Sequence, residues 1–457
     1  MALLPRTIRG EIGPMLRLGA PLALGELGWM AMGIVDILMA GRLGAAALGA
    51  SSLGTMVVYP VAICATGMLL GMDALVAQSH GAGDPADSRR TLVNGVWLAA
   101  ALTPLVALAT LGLIPLLRAG GANPRVMLLL APYLRALVWG MPGLMLYAAL
   151  RRYLQAVDCA GPVAFALVSA NLVNLAGNWM LMFGHWGAPA LGLEGSGLAT
   201  SIARTYMAAF LLGAILWRER LDAGRLPPVS WRPALARLRR LAALGLPAAG
   251  QILFEGAVFA VVSALAARLD EASLAAHSIA LQVTSTTYMV PLGIASAAAV
   301  RVGQARGRKR PAEAASAGWT AILLGTVFMS AAGVLLAAEP RWIARLFIAD
   351  PAVIRLAAVL LRIAAVLELF DGLQTVATGA LRGLGDTRSP MLAHLAGYWI
   401  VGLPVTWVLC FPLGWGARGI WVGLTSAIVI VATVLVLVWA RRTNWRPNTR
   451  CHVPGQP

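Results

Sequence analysis

Several acidic side chains of this chain lie in the middle of long apolar stretches. Asp36, Glu255 and Asp371 are the clearest, and Glu26 and Glu368 lie in stretches of the same kind. A charge at the centre of a membrane span costs about 2.5 to 3.5 kcal/mol even on lenient insertion scales, so a carboxylate kept there indicates function. Reversible binding of a cation or a proton is the chemistry that such a group offers. The alternative for each acid is a structural hydrogen bond or a pair with a neighbouring arginine.

Amide and hydroxyl side chains accompany these acids in the apolar stretches. Asn174 and Asn178 are four residues apart, which places them on one face of a helix, and Thr200 lies in the next apolar stretch. Asparagines in apolar helices also join neighbouring helices for purely structural reasons. Two of them in register, with a threonine available, predict a polar pocket around Asp36.

The elements that must hold these side chains are membrane-spanning helices. Of the 457 residues, 59% are hydrophobic and 12% are charged, a balance far from that of soluble globular proteins. A hydrocarbon core of about 30 Å needs about 20 apolar residues per helix, and backbone groups inside lipid must be paired within the segment. The sequence therefore predicts an all-α polytopic membrane protein with twelve transmembrane helices. Their approximate limits are 15–40, 50–78, 92–117, 127–150, 163–184, 192–216, 241–266, 275–300, 315–338, 354–380, 389–412 and 417–440.

The chain also contains an internal repeat. At a constant spacing of 226, Leu18, Gly19, Pro21, Gly67, Val76, Gln78 and Gly81 recur as Leu244, Gly245, Pro247, Gly293, Val302, Gln304 and Gly307. Six spans per half is an even number, so the two halves are predicted to be parallel repeats related by an axis along the membrane normal, with a binding cavity between them. The predicted limits are 1–217 for the first repeat, 218–240 for a cytoplasmic linker, 241–440 for the second repeat and 441–457 for a cytoplasmic tail.

Pro21 and Pro247 occupy equivalent positions in the first span of each repeat. A proline inside a helix removes a backbone donor and bends the helix through a steric clash. Such a bend serves either as a hinge that switches during function or as a static kink. The sequence leaves both interpretations open.

The distribution of positive charge orients the chain in the membrane. The formal net charge is +17, and 25 of the 36 Lys and Arg residues fall on one side of the membrane if the termini and alternate loops are placed together. Seven fall in the loops of the other side. By the positive-inside rule, both termini are predicted to be cytoplasmic.

Several other kinds of protein and site are disfavoured by the residues. The positive charges lie in short loops between apolar stretches, which argues against a nucleic-acid partner. The four cysteines are widely spaced and indicate neither a disulfide framework nor a zinc site. The sole lysine, Lys309, lies between two arginines, so a nucleotide-binding loop is missing. No HExxH or GxSxG motif is present, so we predict that the protein is not an enzyme. We also expect no cofactor, and no obligate protein partner is evident from the sequence.

Several stretches resemble the multidrug and toxic compound extrusion (MATE) family, most closely its NorM-like branch. They are Met32–Asp36 followed by Met39–Gly41, Ala275–Gln282, Val290–Gly293, and Gly379–Gly383 leading to Asp386–Arg388. The resemblance covers nearly the whole chain. It implies a bacterial inner-membrane antiporter that expels small cationic, amphipathic drugs or dyes in exchange for sodium ions or protons, with membrane lipid as its surroundings.

The resemblance also implies site residues by position. The amino-half polar site of the family corresponds to Asp36, Asn174, Asn178 and Thr200. The carboxyl-half cation site corresponds to Glu255, Tyr288 and Asp371, which would be metal ligands if sodium is the coupling ion. Asp350, in the loop before span 10, matches a position implicated in holding substrate.

Three other functions stay open at this point. A lipid-linked oligosaccharide flippase shares the general architecture, but its cavity is expected to carry several cationic residues for a pyrophosphate. A membrane-embedded enzyme of another class could also use buried acids. A passive channel is disfavoured by the repeat and the mid-span acids, which indicate alternating access.

Overall fold

The computed structural model describes residues 6–121, 123–221 and 229–443, and these ranges contain sixteen α-helices and no strand. The first-half helices are α1 (Arg6–Gly41), α2 (Ala45–Met68), α3 (Gly71–Gly81), α4 (Pro85–Ala119), α5 (Pro124–Val138), α6 (Met141–Ala156), α7 (Ala160–Phe183) and α8 (Leu193–Leu221). The second-half helices are α9 (Leu235–Ala266), α10 (Glu271–Gly307), α11 (Pro311–Ala338), α12 (Pro340–Arg345), α13 (Pro351–Gly383), α14 (Arg388–His394), α15 (Leu403–Cys410) and α16 (Gly416–Thr443).

These helices confirm the predicted all-α polytopic membrane fold. Within the described ranges, ten segments are long and apolar enough to cross a membrane, counting α2 with α3 and α14 with α15 as single segments. The bent pair α5 and α6 supplies one further crossing. The remaining long helix is α13, with 33 residues, whose mean hydropathy is lowered by charged residues that include Glu368 and Asp371. Together they correspond in order to the twelve predicted spans.

The fourth span differs from the single helix predicted over 127–150. It is broken between α5 and α6, whose axes differ by 46°. Pro142 lies in the first turn of α6, where the lack of a backbone N–H is tolerated. In the middle of one continuous helix, the same residue would interrupt the backbone hydrogen bonds. Gly140 lies at the break, where an added Cβ would come within 2.7 Å of the Ser201 backbone. The break therefore lets α6 approach α8 closely.

The eleventh span, predicted over 389–412, also departs from a regular α-helix. Residues Leu395–Gly402 between α14 and α15 form a π-helical segment. Such widened turns are rare and frequently occur at functional sites. This one carries the buried side chain of Tyr398.

Contacts between the two halves follow the pseudo-symmetry of the repeat. Helix α1 packs on α10, and the equivalent pair α9 and α2 is also packed together. A Cβ on Gly67 would lie 3.0 Å from the Ala249 backbone, and one on Gly293 would lie 2.4 Å from the backbone of Ala23. Ala23 and Ala249 are themselves repeat equivalents. This pairing is the one expected of two repeats related by a twofold axis between them.

A second symmetric contact lies at the ends of α3 and α10. A Cβ on Gly81 would lie 2.1 Å from the Gln304 carbonyl oxygen, and one on Gly307 would lie 2.0 Å from that of Gln78. These four residues, Gln78, Gly81, Gln304 and Gly307, are called the inner gate below, because the predicted orientation puts them on the cytoplasmic side. Only glycine permits two backbones to approach this closely.

Hydrogen bonds reinforce the inner gate in an equally symmetric way. The Gln78 amide donates to the carbonyl oxygen of Gly383 at the end of α13, at 3.0 Å. The Gln304 amide donates to the carbonyl oxygen of Ala156 at the end of α6, at 3.1 Å. Each glutamine therefore caps a helix of the opposite half, and the helices that they cap are counterparts in the repeat.

The predicted limits of the repeats stay a prediction. Helix α8 continues to Leu221 and α9 already begins at Leu235, so both ends of the predicted 218–240 linker are helical. Residues 222–228 of that linker and residues 444–457 of the predicted tail lie outside the described residues. Helices α1 and α9 run without a break through Pro21 and Pro247, whose role as hinges stays a prediction.

Candidate functional site

The predicted polar residues of the first half come together around Asp36. The Asn178 amide donates to Asp36 Oδ1 at 2.6 Å, and the Thr200 hydroxyl donates to Asp36 Oδ2 at 3.1 Å. The Asn174 side chain lies between them, accepting from Asn178 at 3.2 Å and donating to Thr200 at 3.4 Å. These four residues, called the amino-half pocket, are contributed by α1, α7 and α8.

The carboxylate of Asp36 has neutral hydrogen-bond donors as its partners. Among the residues that the structure describes, no arginine or lysine lies within ion-pair distance of it. Arg204, one helical turn after Thr200, is partly buried, and its buried Nε and Nη1 atoms have no hydrogen-bond acceptor among the described residues. Asn178 Oδ1 is also buried, and no described residue donates to it. An unpartnered amide oxygen beside a carboxylate is an arrangement suited to a cation.

Asn171, on the same helix as Asn174, has a different environment. Its amide donates to the carbonyl oxygens of Gly28 at 3.0 Å and Leu167 at 2.9 Å. Asn171 therefore joins α7 to α1, as expected of an isolated asparagine in an apolar helix.

The predicted residues of the second half form another cluster. The Gln251 amide donates to Glu255 Oε2 at 2.8 Å, and the Tyr288 hydroxyl approaches Glu255 Oε1 at 3.5 Å. The Gln374 amide donates to Asp371 Oδ1 at 2.8 Å and reaches Glu255 Oε1 at 3.4 Å. One amide thus connects both carboxylates. These residues are called the carboxyl-half cluster and come from α9, α10 and α13.

Tyr398 and His394 border this cluster from the eleventh span. The Tyr398 hydroxyl is 2.8 Å from Gln374 Nε2 and 3.1 Å from Gln374 Oε1. His394 Nδ1 lies 2.8 Å from the Pro390 carbonyl oxygen, which requires a proton on Nδ1. Its Nε2 is 3.6 Å from Glu255 Oε2 and 3.4 Å from the Gln251 amide, from which it accepts when the ring is neutral.

Glu368 lies on α13 one turn before Asp371 and is completely buried. Its Oε1 accepts from the Thr287 hydroxyl at 2.7 Å, whereas its Oε2 is buried with no donor among the residues that the structure describes. A buried acceptor left without a partner is costly. Glu368 therefore adds a third acid with unused binding capacity close to Asp371.

Two other buried acids are arranged quite differently. Glu26 forms a largely buried ion pair with Arg151, which is the structural alternative to a functional role. Asp73 lies 3.5 Å from Arg152 and 3.3 Å from Arg382. Because Arg382 belongs to the second half, Asp73 also joins the halves near the inner gate. The chain therefore separates its buried acids into arginine-paired ones and ones that face neutral donors.

Asp350 caps the start of α13. Its side chain accepts from the Ala352 backbone N–H at 2.8 Å, as an N-cap does. Within the described residues, no hydrogen bond or ion pair links Asp350 to the pocket or to the cluster. Its predicted contact with substrate stays a prediction.

The site residues predicted from the sequence do not include Gln251, Gln374, His394 and Tyr398. Gln251 precedes Glu255 by four residues, and Gln374 follows Asp371 by three. These spacings put each glutamine on the same helix face as its acid, so a search for polar neighbours at helical spacing would have found them. His394 and Tyr398 share the same four-residue spacing within an apolar span.

Comparison with known proteins identifies the family. A family model described as MatE matches residues 21–180 and 247–408, one segment in each half. A probable multidrug resistance protein NorM of Mesorhizobium japonicum is 37% identical over 446 residues, covering 96% of both chains. A probable multidrug resistance protein NorM of Pseudomonas putida is also 37% identical, covering 93% of both.

Solved structures show the same fold at low sequence identity. A crystal structure of the eukaryotic MATE transporter AtDTX14 matches with a TM-score of 0.85 at 19% identity, covering 96% of this chain and 98% of the other. An outward-facing MATE family transporter of the MOP superfamily gives a TM-score of 0.85 at 19% identity, with coverage of 96% and 97%. The NorM relatives are transporters and not enzymes. The chain therefore belongs to the MATE family of multidrug transporters.

Proposed function

We propose that this protein is a secondary active antiporter that exports cationic amphipathic compounds in exchange for Na⁺ or H⁺ by alternating access. The proposed setting is the bacterial inner membrane with both termini in the cytoplasm, and its support is the excess of Lys and Arg on that side. The amino-half pocket and the carboxyl-half cluster are the proposed sites for substrate and coupling ion.

One observation carries this proposal, namely the contrast between the two sets of buried acids. The charges of Glu26 and Asp73 are matched by arginines. Asp36, Glu255 and Asp371 have only amides, hydroxyls and a histidine as hydrogen-bond partners. Neutral donors stabilise a carboxylate but leave its net charge unbalanced, which in a low-dielectric surrounding favours the arrival of a cation.

The coupling proposed here is competition for these charges. A lipophilic cation from the cytoplasm or the inner leaflet is held by the carboxylates and by apolar and aromatic walls. Na⁺ or H⁺ arriving from outside neutralises the same carboxylates, so the organic cation loses its ionic partner. The inward movement of the small ion therefore drives the outward movement of the drug.

The donor set of the carboxyl-half cluster is compatible with Na⁺ as the co-substrate. Glu255 and Asp371 supply carboxylate oxygens, and Tyr288 supplies a hydroxyl oxygen. Hard cations bind to several such oxygens at once. The unpartnered Oε2 of Glu368 is a further oxygen on the same helix face. A proton would instead occupy one carboxylate at a time, and the same residues would serve.

Alternating access requires two states that bind the ligands differently. The inner gate supports an assignment of this structure to a state closed on the cytoplasmic side, because the halves are joined there by symmetric hydrogen bonds. Glu11 and Arg301, at 2.7 Å, add an ion pair between α1 and α10 in the same region. In the opposite state these contacts must separate.

The proposal is tested in vesicles that contain the purified protein and a cationic dye such as ethidium. Dye movement is followed under a sodium gradient with the pH clamped, and separately under a pH gradient without sodium. We expect at least one of these gradients to drive uphill dye transport. Dye that only equilibrates under both gradients would contradict antiport and indicate a passive pathway.

A further inference from the structure

Arg362 is a cation at membrane depth for which the described residues provide no ionic partner. It lies on α13, nine residues before Asp371. Nine residues of an α-helix make about two and a half turns, so the two side chains leave the helix in opposite directions. Arg362 therefore projects from the face of α13 opposite to the carboxyl-half cluster. Its side chain is exposed, and its guanidinium forms no ion pair with any carboxylate of the described residues.

The Arg362 side chain lines a groove between α13 and α16. The groove has a volume of about 700 Å³ and is lined by Val359, Arg362, Ile363, Val366, Val422, Thr425, Ser426, Val429 and Ile430. The hydroxyls of Thr425 and Ser426 already donate to carbonyl oxygens of their own helix. Arg362 is therefore the one cationic donor among residues that are otherwise apolar or already bonded. This set is called the α13–α16 groove.

The α13–α16 groove lies inside the membrane, toward the periplasmic side in the proposed orientation. Its α16 wall runs from Val422 to Ile430, which begins six residues after the first residue of that membrane-spanning helix. At about 1.5 Å per residue, the wall covers depths of roughly 9 to 21 Å from that end. Trp415 is 51% exposed just before α16, as expected of an aromatic residue at the membrane interface.

A cation in this position needs an anion, and the part of the chain that the structure describes provides none within ion-pair distance. An isolated arginine among lipid chains is costly and reaches toward the headgroup region. The anion found throughout that region is the phosphate of a phospholipid, which an arginine binds through two parallel hydrogen bonds. The acyl chains of such a lipid would lie closer to the bilayer midplane than its phosphate. Val366 and Ile430, which are 52% and 39% exposed, lie on the midplane side of Arg362 and offer an apolar surface there.

We propose that the α13–α16 groove is a binding site for a phospholipid of the outer leaflet, with its phosphate on Arg362 and one acyl chain along Val366 and Ile430. The site lies on the opposite face of the helix that carries Asp371 and Glu368. A bound lipid would therefore brace α13 from the side away from the proposed cation site. The lipid site stands independently of antiport, since it requires only the membrane fold.

The experiment is native mass spectrometry of the detergent-purified protein titrated with phosphatidylglycerol. We expect one lipid to bind more tightly than the rest, and Arg362→Gln to weaken that first binding step by about tenfold or more, the size expected for a charge-assisted hydrogen bond. Arg362→Lys keeps the charge but not the bidentate geometry, so its lipid affinity should lie between those of the wild type and Arg362→Gln. Val366→Phe should also weaken binding, because it fills the acyl part of the groove.

Arg355→Gln is the matched control, since Arg355 is exposed on the same helix but does not line the groove. It should leave the first binding step unchanged. Equal lipid affinities of the wild type and Arg362→Gln would overturn the proposal, as would equal losses in Arg362→Gln and Arg355→Gln. If Arg362→Gln does not fold, an unchanged lipid affinity of Val366→Phe would overturn the proposal instead.

Discussion

At the scale of single residues, the partner of a buried acid decides what that acid can do. Glu26 and Asp36 both lie on α1, but Glu26 is paired with Arg151 whereas Asp36 accepts hydrogen bonds from neutral groups. The ion pair satisfies its charges internally and has no need of a ligand. We propose that the carboxylate of Asp36, which forms no ion pair with the described residues, keeps its charge for an external cation.

This distinction predicts that Glu26 is structural. In Glu26→Gln, Arg151 is left buried and unpaired, which costs about 3 to 5 kcal/mol in comparable sites. We expect a lower melting temperature of the purified protein and less of it in the membrane. In the double variant Glu26→Gln with Arg151→Met, neither charge remains, and the melting temperature should recover.

Transport measured in the double variant completes this test. If the ion pair is only structural, the double variant should still export dye once its amount in the membrane is taken into account. A Glu26→Gln protein with normal stability but no transport would show instead that Glu26 belongs to the transport site.

The types of the site residues were predictable from the sequence, but their partners were not. Asp36, Asn174, Asn178 and Thr200 stand out as polar residues in apolar stretches, and the structure brings them into contact. The pairing of Glu26 with Arg151 spans 125 residues and depends on how the helices of the first half pack to bring α1 within reach of α6. Sequence spacing carries no information on that packing in a single chain.

At the scale of helices, the repeated Val-x-Gln-x-x-Gly motif has a clear role. In both halves the glutamine caps a helix of the other half, and the glycine allows the backbones to meet. Because the same motif is used twice about one axis, we expect its contacts to form and break together. The inner gate is therefore a suitable two-state element.

One methyl group is enough to test the inner gate. In Gly307→Ala, the new Cβ would lie 2.0 Å from the Gln78 carbonyl oxygen, so the halves must move apart on that side. We expect distances between spin labels at the inner ends of α3 and α10 to lengthen, and dye export to fall. Gly81→Ala, the symmetric change, should act in the same way.

Gly112→Ala is the matched control for the gate variants. Gly112 lies on a helix with open space around the position of a Cβ, so the same substitution meets nothing there. Its stability should be unchanged or slightly raised, by up to about 1 kcal/mol. Spin-label distances that stay the same in Gly307→Ala would rule out this contact as a determinant of inner closure.

Span limits were largely predictable because lipid requires long apolar helices, whereas interruptions within spans were not. The break at Gly140 depends on the close approach of α6 to α8 at Ser201. The π-helical segment Leu395–Gly402 lies in a sequence of uniformly high hydropathy, which gives no local signal of a widened turn. Tertiary packing decides both features.

At the scale of the whole molecule, the charge distribution bears on the rival flippase function. A cavity for a pyrophosphate was expected to carry several free cationic residues. Arg151, Arg152 and Arg382 each pair with Glu26 or Asp73 near the inner gate. Arg204, beside the amino-half pocket, forms no ion pair with the described residues, but one such arginine falls short of the several expected for a pyrophosphate. The acids of the pocket and the cluster keep their charge, which favours a cationic substrate in agreement with the multidrug resistance relatives.

We propose above all that the organic cation and the coupling ion compete for the same carboxylates. The most direct test is equilibrium binding of ethidium to the purified protein, followed by fluorescence polarisation, with Na⁺ replacing K⁺ at constant ionic strength and, separately, with decreasing pH. We expect Na⁺ or H⁺ to displace the dye from the wild type, and neither to do so from a Glu255→Gln, Asp371→Asn double variant that retains a folded elution profile. Dye binding that is insensitive to both ions in the wild type, or equally sensitive in the double variant, would contradict the claim.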